Sequence, residues 1–538
     1  MNYANGIIAF CLIITLIVIF PFTLYLTKFF KRKVESMIDS WNEASEPALS
    51  PPLANNPSIF SGKVRVAEHA QAGSNPQPLN AALVWHYIFP GIIVCCFLVY
   101  LVYWGNEYPG IAKTSFFIVS VSFPFIFILH TVTPPGKNWL RPTSYVYLII
   151  LTVFGIYFLF RNDIEEVILL FLTIPIYNSI PTLVFFWLNS SRRTKALAPF
   201  VFPVVFSGIS LVTIGLTYLF ASDERLKGIY NPIHDLFFYL GIPSITNFGF
   251  YLMLALILLL IVLLSLIILR VAYNFKITNS RILLIDCIWI TQLIFLLGGP
   301  FSDFRAILYP LLVFACYKIL QLCCMKIVNS TKHKSERELL VLRVFALGQE
   351  SEKLFRHVSA AWLSKGSIKL IAGHDLTTTL VDIDDLLVYL SGRIKERFCL
   401  TETLMKKNIE KMDTAPDIDG SYRVNELYCN NSTWQMVLNR ILPDTDRILM
   451  DLRGFSSGNS GCIHEIEQLV SRIPLNKVLF ISDHDGTAEG SYLRSVMQKA
   501  WERLPANSPN YGNELEKFHI YKYNGTQDLS GLIDTLTA

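Results

Sequence analysis

The sequence predicts two unlike halves: an α-helical transmembrane bundle of about nine spans, followed by a cytoplasmic α/β domain with a doubly wound, mostly parallel sheet. Three observations predict it. The chain is 52% hydrophobic and only 16% charged over 538 residues, more apolar and less charged than soluble globular proteins. Its apolar residues concentrate, before residue 327, in runs that approach the roughly 20 residues a helix needs to cross about 30 Å of hydrocarbon. After residue 336, short apolar segments alternate with amphipathic ones, as strands alternate with helices.

The apolar runs fall near 6–27, 82–104, 111–130, 143–160, 166–188, 198–220, 248–269, 283–299 and 306–325. The first ends in KFFKRK and has no basic segment before it, which predicts an anchor with the N-terminus outside and not a cleaved signal peptide. Loop charges alternate as the positive-inside rule requires. Lys137 and Arg141, then Arg192, Arg193 and Lys195, then Lys276 and Arg281 are expected inside. Glu107, then Asp163, Glu165 and Glu166, then Asp223 and Glu224, then Asp303 are expected outside. This reading divides the chain into an anchor (1–33), a flexible cytoplasmic loop (34–80), an eight-span unit (81–327), a linker (328–335) and a cytoplasmic domain (336–538). It predicts a multi-pass protein of the plasma (inner) membrane, with the lipid bilayer as a partner. The loop is rich in Pro, Ser, Ala and Asn, too polar to build a core, with one amphipathic patch at SGKVRVAEH.

Within the eighth run, Asp286 and Gln292 are the polar exceptions. An intramembrane carboxylate points to transport, but Asp286 lies near the cytoplasmic end, where Arg281 or interfacial water is expected to satisfy it. Pro124, Pro175, Pro181 and Pro203 predict kinks. The ten cysteines have neither metal-ligand spacing nor a disulfide pattern, so no metal and no structural disulfide is expected. A net charge of +4 gives no footing for nucleic acid.

In the C-terminal domain, ELLVLRVF predicts a strand, ESEKLFRHVSAAWLSKG a helix closed by Gly366, and SIKLIAG a second strand. DIDDLLVYLSGRIKERF and STWQMVLNRIL come next as helices, then RILMDLRGF (strand), CIHEIEQLVSRI (helix), KVLFISD (strand), YLRSVMQKAWERL (helix) and FHIYKYN (strand). Ligands of such sheets bind at the carboxyl ends of the strands. The residues there are Arg343; Gly373, His374 and Asp375; Arg453, Gly454, Ser456, Asn459 and Ser460; and Asp483, His484 and Asp485. DGSYRVNELYC adds Arg423, Asn425 and Glu426 before a helix, and the whole set is expected to converge on one crevice. VLFISDHDGTAEG has the strand-then-D-x-D-G-T form of a haloacid-dehalogenase-type phosphatase. It stands on a late strand with about 50 residues left for the other catalytic groups, so Asp483 is expected to end the strand and Asp485, Gly486 and Thr487 to turn the chain.

DLRGFSSGNSGCIHEIEQLV resembles the segment of the Toll/interleukin-receptor (TIR) family in which a strand is followed by a loop and a helix-opening run of Ser, Trp, Cys, Glu and Leu. Ser460, Gly461, Cys462, Glu465 and Ile466 stand at those places, Gly461 replacing the tryptophan, and LLVLRVF departs from the family's first-strand pattern. The segment is also similar to nucleoside deoxyribosyltransferase-like folds, and the domain resembles Rossmann-like domains attached to bacterial multi-span membrane proteins. The resemblance implies a Rossmann- or flavodoxin-like sheet, self-association, and Glu465 as the carboxylate that stabilises the ribose as nicotinamide leaves NAD. N-glycosidic cleavage passes through an oxocarbenium-like state, which a nearby carboxylate stabilises.

The expected site is therefore Glu465 as the catalytic residue, with Arg343, His374, Asp375, Arg453, Ser456, Asn459, Ser460 and Asp483 binding the nucleotide. No resident cofactor is required, since NAD or a related nucleotide is the substrate or ligand. The function expected is a membrane signalling or defence effector. A non-catalytic sensor and a transporter with a regulatory domain are the alternatives.

Overall fold

The computed structural model describes the chain chiefly over 66–69, 81–103, 124–132, 140–160, 263–298, 305–330, 337–343, 349–372, 383–429, 433–483, 488–512, 518–523 and 529–537, with part of 21–37. Among the described residues, seven parallel strands form one sheet: β1 (Val66–His69), β2 (Arg337–Arg343), β3 (Gly366–Ala372), β4 (Val424–Tyr428), β5 (Arg447–Asp451), β6 (Val478–Ser482) and β7 (Phe518–Lys522). Their spatial order is β1-β7-β6-β5-β2-β3-β4. Numbered from β2, the six strands of the α/β half run 3-2-1-4-5-6, the Rossmann-like order of dinucleotide-binding sheets. The chain passes from one side of β2 to the other, so the reversal lies between β2 and β5, where Arg343 is the register partner of Asp451.

Continuous apolar runs form the central strands because helices cover both faces, and β3 and β6 are buried along their whole length. One face packs Leu340, Leu342, Ile448, Met450 and Phe480 against Ile466 and Leu469 of the helix Ser460–Arg472 and Met497 of the helix Ala488–Glu502. The other packs Leu339, Val341, Ile368 and Leu370 against Leu354 and Val358 of the helix Gln349–Trp362, in a cluster that extends to Tyr273, Leu283 and Cys287 of the helical half.

Several elements differ from the sequence reading. Gly366 opens β3 and does not close the preceding helix; a Cβ there would collide with the Arg337 carbonyl. DGSYRVNELYC contains β4, an edge strand whose first three residues are only half-buried, so it lacks the apolar run that marks its neighbours. The helices Glu402–Glu410 and Leu529–Thr537 were not expected. Within the Pro- and Ser-rich stretch 34–80, Val66–His69 is a strand, paired with β7 from Val66↔Phe518 to His69↔Tyr521.

The expectation of nine transmembrane spans is corrected. Among the described residues one segment, Leu308–Ile327, is long and apolar enough to cross a membrane, and the apolar helices His86–Tyr100, Tyr145–Phe154 and Leu263–Asn274 are shorter. The helix Ser280–Gly298 turns much of its apolar surface inward: Ile282, Ile285, Trp289 and Leu293 are buried against Tyr87, Leu98 and Tyr317. Apolar composition does not distinguish a residue facing lipid from one facing another helix, and the count rested on composition. The runs 166–188 and 198–220 lie outside the described residues, as do Pro175, Pro181 and Pro203. Pro124 is the first residue of the helix Pro124–Val132, a position where its missing N–H costs nothing. Asp286 is paired with Lys318 at 2.7 Å, not with Arg281.

The helical half meets the amino end of β4 through a buried polar junction. The Arg423 guanidinium donates to Asp417 at 3.1 Å, Asp413 at 3.2 Å and the Tyr273 carbonyl at 3.0 Å, and it lies 3.9 Å above the Tyr273 ring. Asn279 donates to Asp419 at 3.1 Å and Ser421 at 3.1 Å, the Tyr87 hydroxyl donates to Asp419 at 3.1 Å, and Lys276 pairs with Asp413. Arg423 is therefore committed to this junction, far along the sheet from the β2/β5 reversal.

Candidate functional site

The candidate site is built from the segment that leaves the carboxyl end of β5. The strand ends at Asp451, which is buried. Its Oδ1 accepts from Arg453 Nε at 2.8 Å and from the Arg453 backbone N–H at 3.2 Å. Its Oδ2 accepts from Arg453 Nη2 at 2.7 Å and from the Ser351 hydroxyl at 3.4 Å. Arg453 also stands 4.7 Å over the Tyr523 ring, which brings the end of β7 into the same corner. This bidentate pair neutralises both charges where they are buried, so Arg453 supports the wall of the crevice and its charge is already spoken for.

The chain then turns at Gly454, whose positive φ of 66° suits glycine, and the Gly454 N–H donates to Asp483 Oδ1 at 3.3 Å. Phe455 is fully buried and stacks on Tyr492 with ring centroids 5.9 Å apart, anchoring a loop whose next residues, Ser456, Ser457 and Gly458, are exposed. The Ser456 N–H and hydroxyl both donate to Asn459 Oδ1, at 2.8 and 2.9 Å. The Asn459 side chain is thereby turned back into the loop and does not cap the helix Ser460–Arg472. No side chain caps that 13-residue helix at Asn459; the Ser460 N–H donates to the Gly458 carbonyl at 3.1 Å, and helix N-termini without a side-chain cap are the kind that receive anions.

Glu465 is the sixth residue of this helix, on its second turn. It lies on the sheet-facing side beside Cys462 and Ile466, only 3% exposed. Its Oε2 has no hydrogen-bond partner among the described residues. Burial alone raises its carboxyl to about 8. Cys462 is pushed up to about 12, first by burial and then by the nearby Glu465 and Asp451 carboxylates, which places all three groups in one neighbourhood. Trp434 packs its indole edge-to-face on His464, 5.6 Å between centroids, and 3.8 Å from where a Gly461 Cβ would stand. An indole thus occupies the space beside the position where the TIR resemblance expects a tryptophan.

The structure brings together the Arg343 backbone, Arg453, Ser456, Asn459, Ser460, Glu465 and Asp483 at the carboxyl ends of β2, β5 and β6. His374, Asp375, His484 and Asp485 lie outside the described residues, as does the side chain of Arg343. Arg423, Asn425 and Glu426 belong to β4: Asn425 Oδ1 accepts from the Asp413 N–H at 2.8 Å and Glu426 pairs with Arg397 at 2.7 Å. The sequence reading missed Asp451, Ser351 and Tyr523. Asp451 had a usable signal, an acidic residue closing an apolar strand directly before Arg and Gly; Ser351 and Tyr523 come from distant segments and had none.

No protein-family model matches the chain, and no curated protein or solved structure does either.

Proposed function

We propose that this is a membrane-attached signalling or defence protein whose α/β half binds NAD or a related nucleotide in the crevice between β2 and β5. The observation that carries the reading is the exposed loop Ser456, Ser457 and Gly458 leading into a helix N-terminus without a side-chain cap at the strand-order reversal. At such reversals the connections diverge to opposite faces and leave a crevice, and uncapped N–H groups with the positive end of the helix dipole favour a phosphate there. The fold-level part of this argument is an analogy between sheets; the loop and helix terminus are the chemistry of this chain. Attachment to a bilayer is supported by Leu308–Ile327 and by the large apolar side chains exposed on Leu263–Asn274, among them Leu263, Leu264, Ile267, Ile268 and Val271.

A second reading, cleavage of the N-glycosidic bond, rests on Glu465 with its unpartnered oxygen beside the crevice. Binding and cleavage separate in one experiment on the full chain in detergent. NAD, ADP-ribose and adenosine are titrated calorimetrically, and free nicotinamide is followed by chromatography. The phosphate-bearing ligands are expected to bind and adenosine to bind far more weakly. Ser457→Glu, which places a negative charge in the exposed loop, is expected to weaken the phosphate-bearing ligands at least tenfold. Equal affinity of wild type and variant would refute phosphate recognition by this loop.

A further inference from the structure

Two cysteines stand together at the β4 edge of the sheet. Cys399 follows the short 3-10 turn Ile394–Arg397 and Cys429 follows β4. Phe398 bridges Tyr428 in parallel register, and the Cys399 N–H donates to the Tyr428 carbonyl at 2.9 Å. The next residue on each segment is therefore a cysteine facing a cysteine. Neighbouring extended segments lie about 4.8 Å apart, inside the roughly 4.4–6.8 Å between Cα atoms that a disulfide spans, and register partners project from the same face. The Cys429 thiol donates to the Leu427 carbonyl at 3.6 Å, and the Asn408 side chain donates to the Phe398 carbonyl at 2.7 Å. Both cysteines are free. Cys399 is fully buried and Cys429 half-buried.

We infer that Cys399 and Cys429 are a redox-active thiol pair that takes a small peroxide as co-substrate and closes to a disulfide. The neighbouring Cys429 thiol holds the Cys399 thiol below its ordinary range against the opposing effect of burial, while Cys429 is itself pushed up by Cys399 and by burial. Cys399 is then the attacking sulfur and Cys429 the resolving one. The Cys399 thiolate attacks one peroxide oxygen; the O–O bond breaks, the sulfur becomes a sulfenic acid, and hydroxide leaves to take up the proton the thiol released. The Cys429 sulfur then attacks the sulfenyl sulfur, its own proton leaving with the departing oxygen as water. Two thiols and one hydrogen peroxide give one disulfide and two waters: both sulfurs are oxidised and both peroxide oxygens reduced. The bond would join the segment after Arg397 to the end of β4, which is itself held to β3 by the Cys429 N–H donating to the Ala372 carbonyl at 3.0 Å.

The test treats the full chain in detergent with stoichiometric hydrogen peroxide near neutral pH. Free thiols are then alkylated, and the chain is digested without reduction and mapped by mass spectrometry. The expected product is one cross-linked peptide pair carrying Cys399 and Cys429, lighter by two hydrogens than the separate peptides and abolished by dithiothreitol. Cys429→Ser is expected to remove the cross-link and leave Cys399 open to a sulfenic-acid trap such as dimedone. The wild-type map decides the matter even where the variant fails to fold. Cys399 and Cys429 both recovered alkylated, while the exposed Cys96, Cys316 and Cys323 are oxidised, would overturn the inference, and so would Cys399 cross-linked to any other cysteine.

Discussion

Glu465→Gln is expected to make the chain more stable at alkaline pH and to leave it unchanged in acid. In the folded chain the carboxyl titrates near 8, raised by burial, against an ordinary value of 4.5. Below pH 4.5 folded and unfolded chains both hold the proton, and the residue has no pH-dependent effect. Between the two values the folded chain keeps a proton that the unfolded chain has released, so stability falls as pH rises; above 8 the loss is complete. Each pH unit contributes about 1.4 kcal/mol, and the interval of about 3.5 gives a loss on the order of 5 kcal/mol. Glutamine keeps the size and the polar end without the titration. The assay is urea unfolding of wild type and variant, in detergent, from about pH 5 to pH 9. The difference between the two cancels every other titrating group, including Asp417, which burial raises to about 6 against the opposing charge of Arg423. A variant that gains several kcal/mol on wild type between the acid and alkaline ends bears the reasoning out; curves that stay parallel refute it, since Glu465 would then be hydrated or paired.

Arg423→Gln leaves the Asp413 and Asp417 carboxylates buried without their shared cation, and breaking such a pair typically costs about 3–5 kcal/mol. The helical half should separate from β4, seen as faster amide exchange at Tyr273 and Ile418, and unchanged exchange would refute the junction. Gly366→Ala pushes a methyl group into the Arg337 carbonyl where β2 and β3 begin to pair; overpacking of this kind costs about 3 kcal/mol, and an unaltered thermal midpoint would contradict it.

The central strands were legible because burial on both faces leaves a plain mark, the continuous apolar run, as in LLVLR and VLFIS. β4 was not, because an edge strand is covered on one side only: Asn425 and Glu426 carry hydrogen bonds and an ion pair to neighbouring segments and read as loop. The same asymmetry explains the crevice. Its loop was legible as a loop, since SSGNSG is a run of small polar residues and glycines between an apolar strand and an amphipathic helix. Its supports were not, since Ser351 and Tyr523 reach Asp451 and Arg453 from some 70 to 100 residues away. The nine-span count failed for a different reason. Hydropathy measures how apolar a side chain is and not what it touches, and Trp289 and Tyr317 touch each other, 5.3 Å between ring centroids. Cys399 and Cys429 show the same limit, because register and not spacing brings them together.

The protonation of Glu465 also decides which chemistry the crevice suits. An oxocarbenium-like state is stabilised by an anion, yet with its carboxyl near 8 Glu465 is mostly neutral at pH 7, and ionising it there costs about 1.4 kcal/mol. A well-placed charge is worth more, about 2.7 kcal/mol or above for a hundredfold in rate, so the role survives the cost if the ligand helps to ionise the group. NAD does so, because its nicotinamide ring is cationic until it leaves; a neutral nucleoside does not, and would instead draw on Glu465 as a proton donor to the departing base. Asp451 is no substitute in either role, since Arg453 holds it bidentately. The two roles have opposite signatures. Turnover of a cationic substrate should rise with pH toward about 8, whereas turnover of a neutral one should fall above it. A profile flat across that range for both would show that the buried carboxyl takes no part in bond cleavage.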